Sequence, residues 1–252
     1  MRKIKYFLII FIRLFFSYLN GGQKCIVCGN ISYIYPVCNK CQKKHFFIGK
    51  NITENRCEKC GRELVSTKKI CSKCKEDPVL KNTNKVIPLF SYRLWNKELL
   101  FMWKIEGVRN LSFMFAGLIG RALKILGYNL IVPVPPRKGK IKKKGWDQIN
   151  ELCKILTGLY GITVVNLLER ISVEEQKKLN RGERLETIKS AYKIADNDTL
   201  KKELKKTGGV MPEEVCVIDD VCTTGATIEC CSEILKINGV RTVNVLTLFT
   251  VD

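Results

Sequence analysis

The sequence predicts an α/β protein, a doubly wound and mostly parallel sheet with a small cysteine-rich domain in front of it. Three observations lead there. Short runs such as Val215–Ile218 (VCVI) and Asn129–Pro135 (NLIVPVP) are apolar without polar alternation, the pattern of strands buried on both faces. Stretches of helical periodicity fall between such runs and stop at Gly107, Gly127 and Gly239. Four C-x-x-C pairs crowd into residues 25–74, ahead of that alternating region. The expected division is an apolar N-terminal helix over 1–24, a double ribbon over 25–80 and the sheet domain over 86–252.

Residues 1–19 begin basic and turn strongly apolar. Arg13 interrupts the run and no small-residue cleavage site follows, which argues against a signal peptide. The uninterrupted apolar segment is too short for a transmembrane helix. Two readings remain, a helix packed on the protein's own body and an amphipathic anchor on a membrane surface, and the first is preferred. The chain carries 44 basic and 24 acidic residues, a net charge of +20, which suits polyphosphate ligands, nucleic acid or an anionic bilayer.

The pairs Cys25/Cys28, Cys38/Cys41, Cys57/Cys60 and Cys71/Cys74 each have the bite of two corners of a tetrahedral Zn2+ site. Pairing in chain order gives two structural four-thiolate sites, one on Cys25, Cys28, Cys38 and Cys41, the other on Cys57, Cys60, Cys71 and Cys74. An interleaved arrangement is the alternative. Gly29 and Gly61 directly follow a pair, where knuckle turns aim amides at sulfur. The regular doubled spacing favours reduced, cytosolic cysteines over a secreted disulfide scaffold. His45 reads as a surface residue rather than a further ligand.

After a polar linker over 75–85, Val86–Tyr92 reads as a strand, with Pro88 marking an edge position. Helices are expected over Trp95–Ile105 and Leu111–Leu126, with Trp95 and Trp103 in the core. The strand ending at Pro135 is followed by the most basic stretch, Arg137 to Lys144, closing on Gly145, Trp146, Asp147 and Gln148. Then come a helix over Glu151–Leu159, a strand over Thr163–Leu168, a charged helix over Glu174–Glu186, and a strand over Ser190–Ala195. Asp196–Gly209, rich in lysine and turn formers, reads as an exposed excursion. Val243–Thr250 is the last strand.

The chemistry is concentrated in Val215–Ile228 (VCVIDDVCTTGATI). Asp219 and Asp220 come where the strand reaches the edge of its sheet. Thr223, Thr224, Gly225, Ala226 and Thr227 then lead into a helix. Unsatisfied amides and the dipole of a helix N-terminus favour an anion, Gly225 permits close backbone approach, and the threonine hydroxyls add donors. The carboxylates suit ribose hydroxyls or hydrated Mg2+. In an open α/β sheet, ligands gather beyond the carboxyl ends of the strands, where the basic stretch after Pro136 also begins.

This segment resembles the phosphoribosyl-pyrophosphate (PRPP) signature of type I phosphoribosyltransferases. VPVPP, a basic stretch and GWDQ then resemble the VPVP…RGFNQ segment of the ComF/GntX family. Arg170, Gln176, Leu179, Arg184, Ala191 and Tyr192 resemble a further block of that family, and Lys104 with Gly107 its LKYRG segment. Lys144, Asp147 and Thr187 depart from the family's usual arginine and two asparagines. The resemblance covers nearly the whole chain and implies a type I phosphoribosyltransferase-like sheet behind a double zinc ribbon. It implies that Asp219 and Asp220 orient the ribose, directly or through Mg2+, and that Thr223–Thr227 hold the 5′-phosphate of PRPP. Arg137, Lys104 and Lys144 fall on the pyrophosphate side, and Gln148, Gln176 and Arg184 become further ligand contacts.

Two functional classes compete. One is a Mg2+-dependent phosphoribosyltransferase; the other is a non-catalytic single-stranded-DNA-binding competence factor that uses the same fold as a phosphate platform. The family's association with natural competence implies DNA uptake and a partner such as a competence helicase or another DNA-processing protein. The expected location is cytoplasmic, with a peripheral place at the inner face of the membrane if residues 1–19 touch lipid.

Overall fold

The computed structural model describes residues 2–49, 52–64, 69–76, 78–136, 145–171 and 191–251. The chain opens with α1 (Arg2–Leu19). The first ribbon follows, with β1 (Gln23–Lys24) antiparallel to β2 (Ile31–Ser32) and α2 (Asn39–His45). The second ribbon ends in α3 (Ser72–Glu76). The two ribbons repeat one geometry. Gly29 donates to Cys25 O at 2.8 Å and Gly61 to Cys57 O at 2.9 Å, both with φ near +70°. The Cys38 amide donates to Cys25 Sγ and the Cys71 amide to Cys57 Sγ, each at 3.3 Å.

Behind the ribbons the chain builds a five-stranded, all-parallel sheet. Its strands are β3 (Lys85–Ser91), β4 (Leu130–Pro133), β5 (Thr163–Val164), β8 (Glu214–Cys222) and β9 (Thr242–Thr250), in spatial order β3-β9-β8-β4-β5. Apolar runs at the centre explain the order, because Val215 to Ile218 are buried on both sides. On one face Cys216, Ile218 and Leu246 pack beneath Trp103, Phe115 and Leu152, which come from the stretch after α4 (Trp95–Phe101), from α5 (Asn110–Leu126) and from α6 (Gln148–Ile155). On the other, Val215, Val217 and Val245 pack beneath Cys231 and Leu235 of α8 (Ala226–Ile237) and Tyr192 of the hairpin β6 (Leu168–Arg170)–β7 (Tyr192–Ile194). The sheet is therefore doubly wound, as expected, with the ribbons in front.

Both edges are covered. At β3 the Val86 amide donates to Lys59 O of the second ribbon at 2.9 Å. A Cβ on Gly61 would collide with Pro88 and with the Val86 carbonyl, so this turn requires glycine twice over, for φ and for close approach. Pro88 does lie on an edge strand. At β5 the Lys206 ammonium donates to Val164 O at 2.9 Å, which blunts the other edge.

Three expectations need correction. Asp196–Gly209 is not an excursion: Asp196 accepts from the Asp198 and Thr199 amides and caps α7 (Asn197–Leu204), whose Leu200 and Leu204 pack on the second core. Thr163–Leu168 is not one strand; Thr163 and Val164 join the large sheet, while Leu168 begins the hairpin. The linker is not loose. Glu229, in the first turn of α8, accepts from the Asn82 amide and side chain at 2.5 and 2.9 Å, and from the Thr83 amide and hydroxyl at 3.0 and 2.9 Å. The basic segment 137–144 and the expected helix over 174–186 lie outside the described residues.

Candidate functional site

The connections reverse direction between β4 and β8. From β4 the chain winds to β5 through α6, and from β8 it winds the other way to β9 through α8. A crevice opens at the carboxyl ends of two such strands. Pro133–Pro136 leave one of them, held by the Val134 amide donating to Ile218 O at 3.0 Å. Asp219 and Asp220 leave the other. The Asp219–Thr227 segment thus stands at the switch point of the sheet.

Side chains alternate along a strand, so the two aspartates serve opposite faces. Asp220 is buried and its carboxylate lies 2.7 Å from the Lys104 ammonium, which comes from the π-helical turn Met102–Glu106 after α4. Gln148 holds that turn by donating to Lys104 O at 3.2 Å. Lys104, Gln148 and Asp220 are thereby brought together. Asp219 accepts from the Asp220 amide at 2.8 Å, and its charge is felt by Tyr192 and Cys231 on the α8 side. Burial pushes the Asp219 carboxyl up to about 8, and the neighbouring charges of Asp220 and Asp147 add to the rise; the Asp220 amide and Lys104 oppose it. A carboxyl pair held this way, one member ion-paired and the other lacking a close counter-charge, suits a cation or hydroxyl partners.

Thr223 and Thr224 are exposed beyond Cys222, and Gly225 turns the chain at φ 85° into α8. The Ala226 amide reaches Thr224 Oγ1 only at 3.4 Å. Thr227 shares a hydrogen bond with the Tyr192 phenol, and Arg170 donates to the same phenol at 2.8 Å. The hairpin therefore carries a guanidinium to the side of the loop. The second ribbon approaches from the other side, where Arg62 and Lys73 line a small pocket with Thr223, Thr224 and Gly225. Asp147, which caps α6 by accepting from the Asn150 amide at 2.9 Å, begins a larger cleft of about 1200 Å³. That cleft passes Pro133–Pro136 and runs along α6 to Tyr6 and Ile9.

Arg170 and Tyr192 were legible only through the family resemblance, and Arg62 and Lys73 carried no signal in the sequence. Arg137, Lys144, Gln176 and Arg184 lie outside the described residues.

The cysteines form the two sets expected from chain order. Sγ atoms of Cys25, Cys28, Cys38 and Cys41 lie within 4.8 Å of one another, as do those of Cys57, Cys60, Cys71 and Cys74. Within each set one close pairing corresponds, Cys28 with Cys38 and Cys60 with Cys71, at 3.7 Å. Burial opposes ionisation of Cys25 and Cys57, yet donated amides prevail and bring these thiols down to about 6 and about 7. Four thiols at tetrahedral spacing, with amides already aimed at sulfur, fit two structural Zn2+ ions. His45 belongs to neither set and stacks edgewise on Trp95.

No protein-family model matches the chain. A curated relative, the competence protein ComFC of Streptococcus pneumoniae, is 26% identical over 216 residues, which span 84% of this chain and 86% of the relative. The chain is thus similar to ComFC over most of both lengths, and it carries two four-cysteine clusters ahead of a doubly wound sheet.

Proposed function

We propose that this protein binds PRPP with Mg2+ and transfers its phosphoribosyl group, in the service of DNA uptake. The observation that carries the reading is the position of Asp219, Asp220 and the Thr223–Thr227 loop together at the switch point of the sheet. The loop and the first turn of α8 would take the 5′-phosphate, with Arg170 beside them as a cation. Hard oxygen donors such as the two carboxylates fit Mg2+, which would screen the charge of the pyrophosphate. Asp219 and Asp220 orient the ribose hydroxyls. Lys104, already beside Asp220, would engage the pyrophosphate, the role the resemblance also gives Arg137 and Lys144. In the reaction the bond from the anomeric carbon to pyrophosphate breaks, the leaving group keeps the electron pair, and an acceptor nucleophile forms the new bond and loses its proton. The chain's contribution is positioning and charge neutralisation. Gln148, Gln176 and Arg184 belong to the acceptor side.

A second reading is favoured by the net charge of +20: a single-stranded-DNA-binding competence factor that uses the fold as a phosphate platform without turnover. Its partners would be DNA and a competence helicase or similar protein, in the cytoplasm at the inner face of the membrane. Calorimetry with PRPP and Mg2+, beside DNA binding at several salt concentrations, separates the two. Asp220→Asn should weaken PRPP binding about ten-fold or more and leave DNA binding nearly unchanged. Equal loss of both would merge the sites. Consumption of PRPP with candidate bases, nucleotides or DNA tests turnover.

A further inference from the structure

Helix α1 is gripped on one side only. The Tyr6 hydroxyl donates to Lys154 O at 3.1 Å, and its ring sits where a side chain on Gly158 would collide with it. Arg13, the one charge in the middle of the helix, turns inward. It donates to Asn110 Oδ1 at 2.5 Å and lies over the Phe113 ring at 5.5 Å. The opposite arc is bare. Leu8, Phe11, Phe15 and Leu19 are 57, 66, 53 and 63% exposed, and Ile12 and Phe16 flank them. At 3.6 residues per turn these six share one face. The Tyr18 ring meets Tyr33 of the first ribbon at 5.7 Å, and Ile31 beside it in β2 is also exposed, so the apolar surface continues onto the ribbon.

A continuous apolar surface of this kind marks a docking site. Charge selects its occupant. Nine basic residues and no acidic one precede Glu54, among them Arg2, Lys3 and Lys5 at the start of α1. A second copy of the chain would set two cationic regions against each other. An anionic bilayer offers both the opposite charge and an apolar interior. No helix among the described residues is long and apolar enough to cross a membrane. We propose that α1 lies in the plane of an anionic lipid surface, its Phe11–Phe15 face sunk into the acyl boundary and the first ribbon turned to the headgroups. The proposal rests on α1 and not on the phosphate loop, so either can fail alone.

Flotation of the full-length, zinc-loaded protein tests it, with vesicles of phosphatidylcholine alone and with about one third phosphatidylglycerol. The wild type should float with the anionic vesicles and stay behind with the neutral ones. The double variant Phe11→Ser/Phe15→Ser adds no charge and touches no cysteine; it should lose binding about ten-fold or more while keeping its zinc content and thermal midpoint. Failure of the wild type to bind anionic vesicles would overturn the proposal. So would equal binding by the variant, which would assign the attraction to charge alone. A wild type of twice the chain mass that becomes monomeric in the variant, without vesicle binding, would give the face to a second copy.

Discussion

Asp219 and Asp220 are neighbours in sequence and face opposite surroundings. Asp220 has a cation at 2.7 Å, while Asp219 is desolvated beside like charges. Because the Asp219 carboxyl stands near 8 in the folded chain, above its ordinary value of 3.8, its contribution to stability is complete in acid and is lost as pH rises through that window. Asp219→Asn should therefore abolish the fall, raising the stability of the ligand-free protein by several kcal/mol at pH 8 and by nothing at pH 4, as measured by urea titration. A variant that loses stability equally at both pH values would mean the carboxylate is needed for packing. At this scale the sequence was informative where chemistry is local. The acidic pair, the threonine loop and all eight cysteines fall within short spans; chain order gave the cysteine grouping that the structure shows, although spacing left an interleaved one open. The contact of Arg170 and Tyr192 with Thr227 was not legible by spacing, because a hairpin carries Arg170 across from 57 positions earlier in the chain.

Among the elements, α8 is bound at its first turn to the segment that joins the ribbons to the sheet. Glu229 is a part-buried carboxylate that accepts four hydrogen bonds from Asn82 and Thr83. Truncation leaves those donors stranded, so Glu229→Ala should cost about 2–4 kcal/mol in chemical denaturation. It should also weaken PRPP binding, since the same turn opens the phosphate loop. Linker composition hid this clamp: KEDPVLKNTNK looks solvated, and nothing in it announces a partner some 150 residues away. Helix α7 was hidden by its lysines. Its signals were present, an aspartate cap at Asp196 and leucines at 200 and 204, but Lys201, Lys202, Lys205 and Lys206 outweighed them. Only Lys206, which closes a sheet edge and pairs with Glu203 at 2.7 Å, turns inward.

For the whole molecule, the docking of the second ribbon on β3 makes ribbon and sheet one structure. The Lys59 carbonyl, the Lys59 ammonium on Thr83 O at 2.6 Å and the Gly61 turn all join them. Metal analysis of the purified protein should find two zinc ions per chain. A strong chelator should lower the thermal midpoint of the entire protein, with one calorimetric transition; two separated transitions would show that the sheet does not lean on the ribbon. Gly61→Ala, which leaves every cysteine in place, should destabilise by about 2 kcal/mol or more through its positive φ and its collision with Pro88. Two cysteine-rich units and a parallel sheet were readable from the pattern of residues, but their docking depends on surfaces that no periodicity encodes.

The pairing of β3 bears on how the chain is born. Among the described residues its strand partner is β9, with Lys85 opposite Asn244, so the first strand of the sheet waits for a segment made about 160 residues later. At ordinary rates of synthesis that interval is on the order of ten to thirty seconds. A ribbon closed on zinc during that interval would already occupy the strand's outer margin, through the Val86 amide on the Lys59 carbonyl, and would hold a strand whose neighbour has not yet been translated.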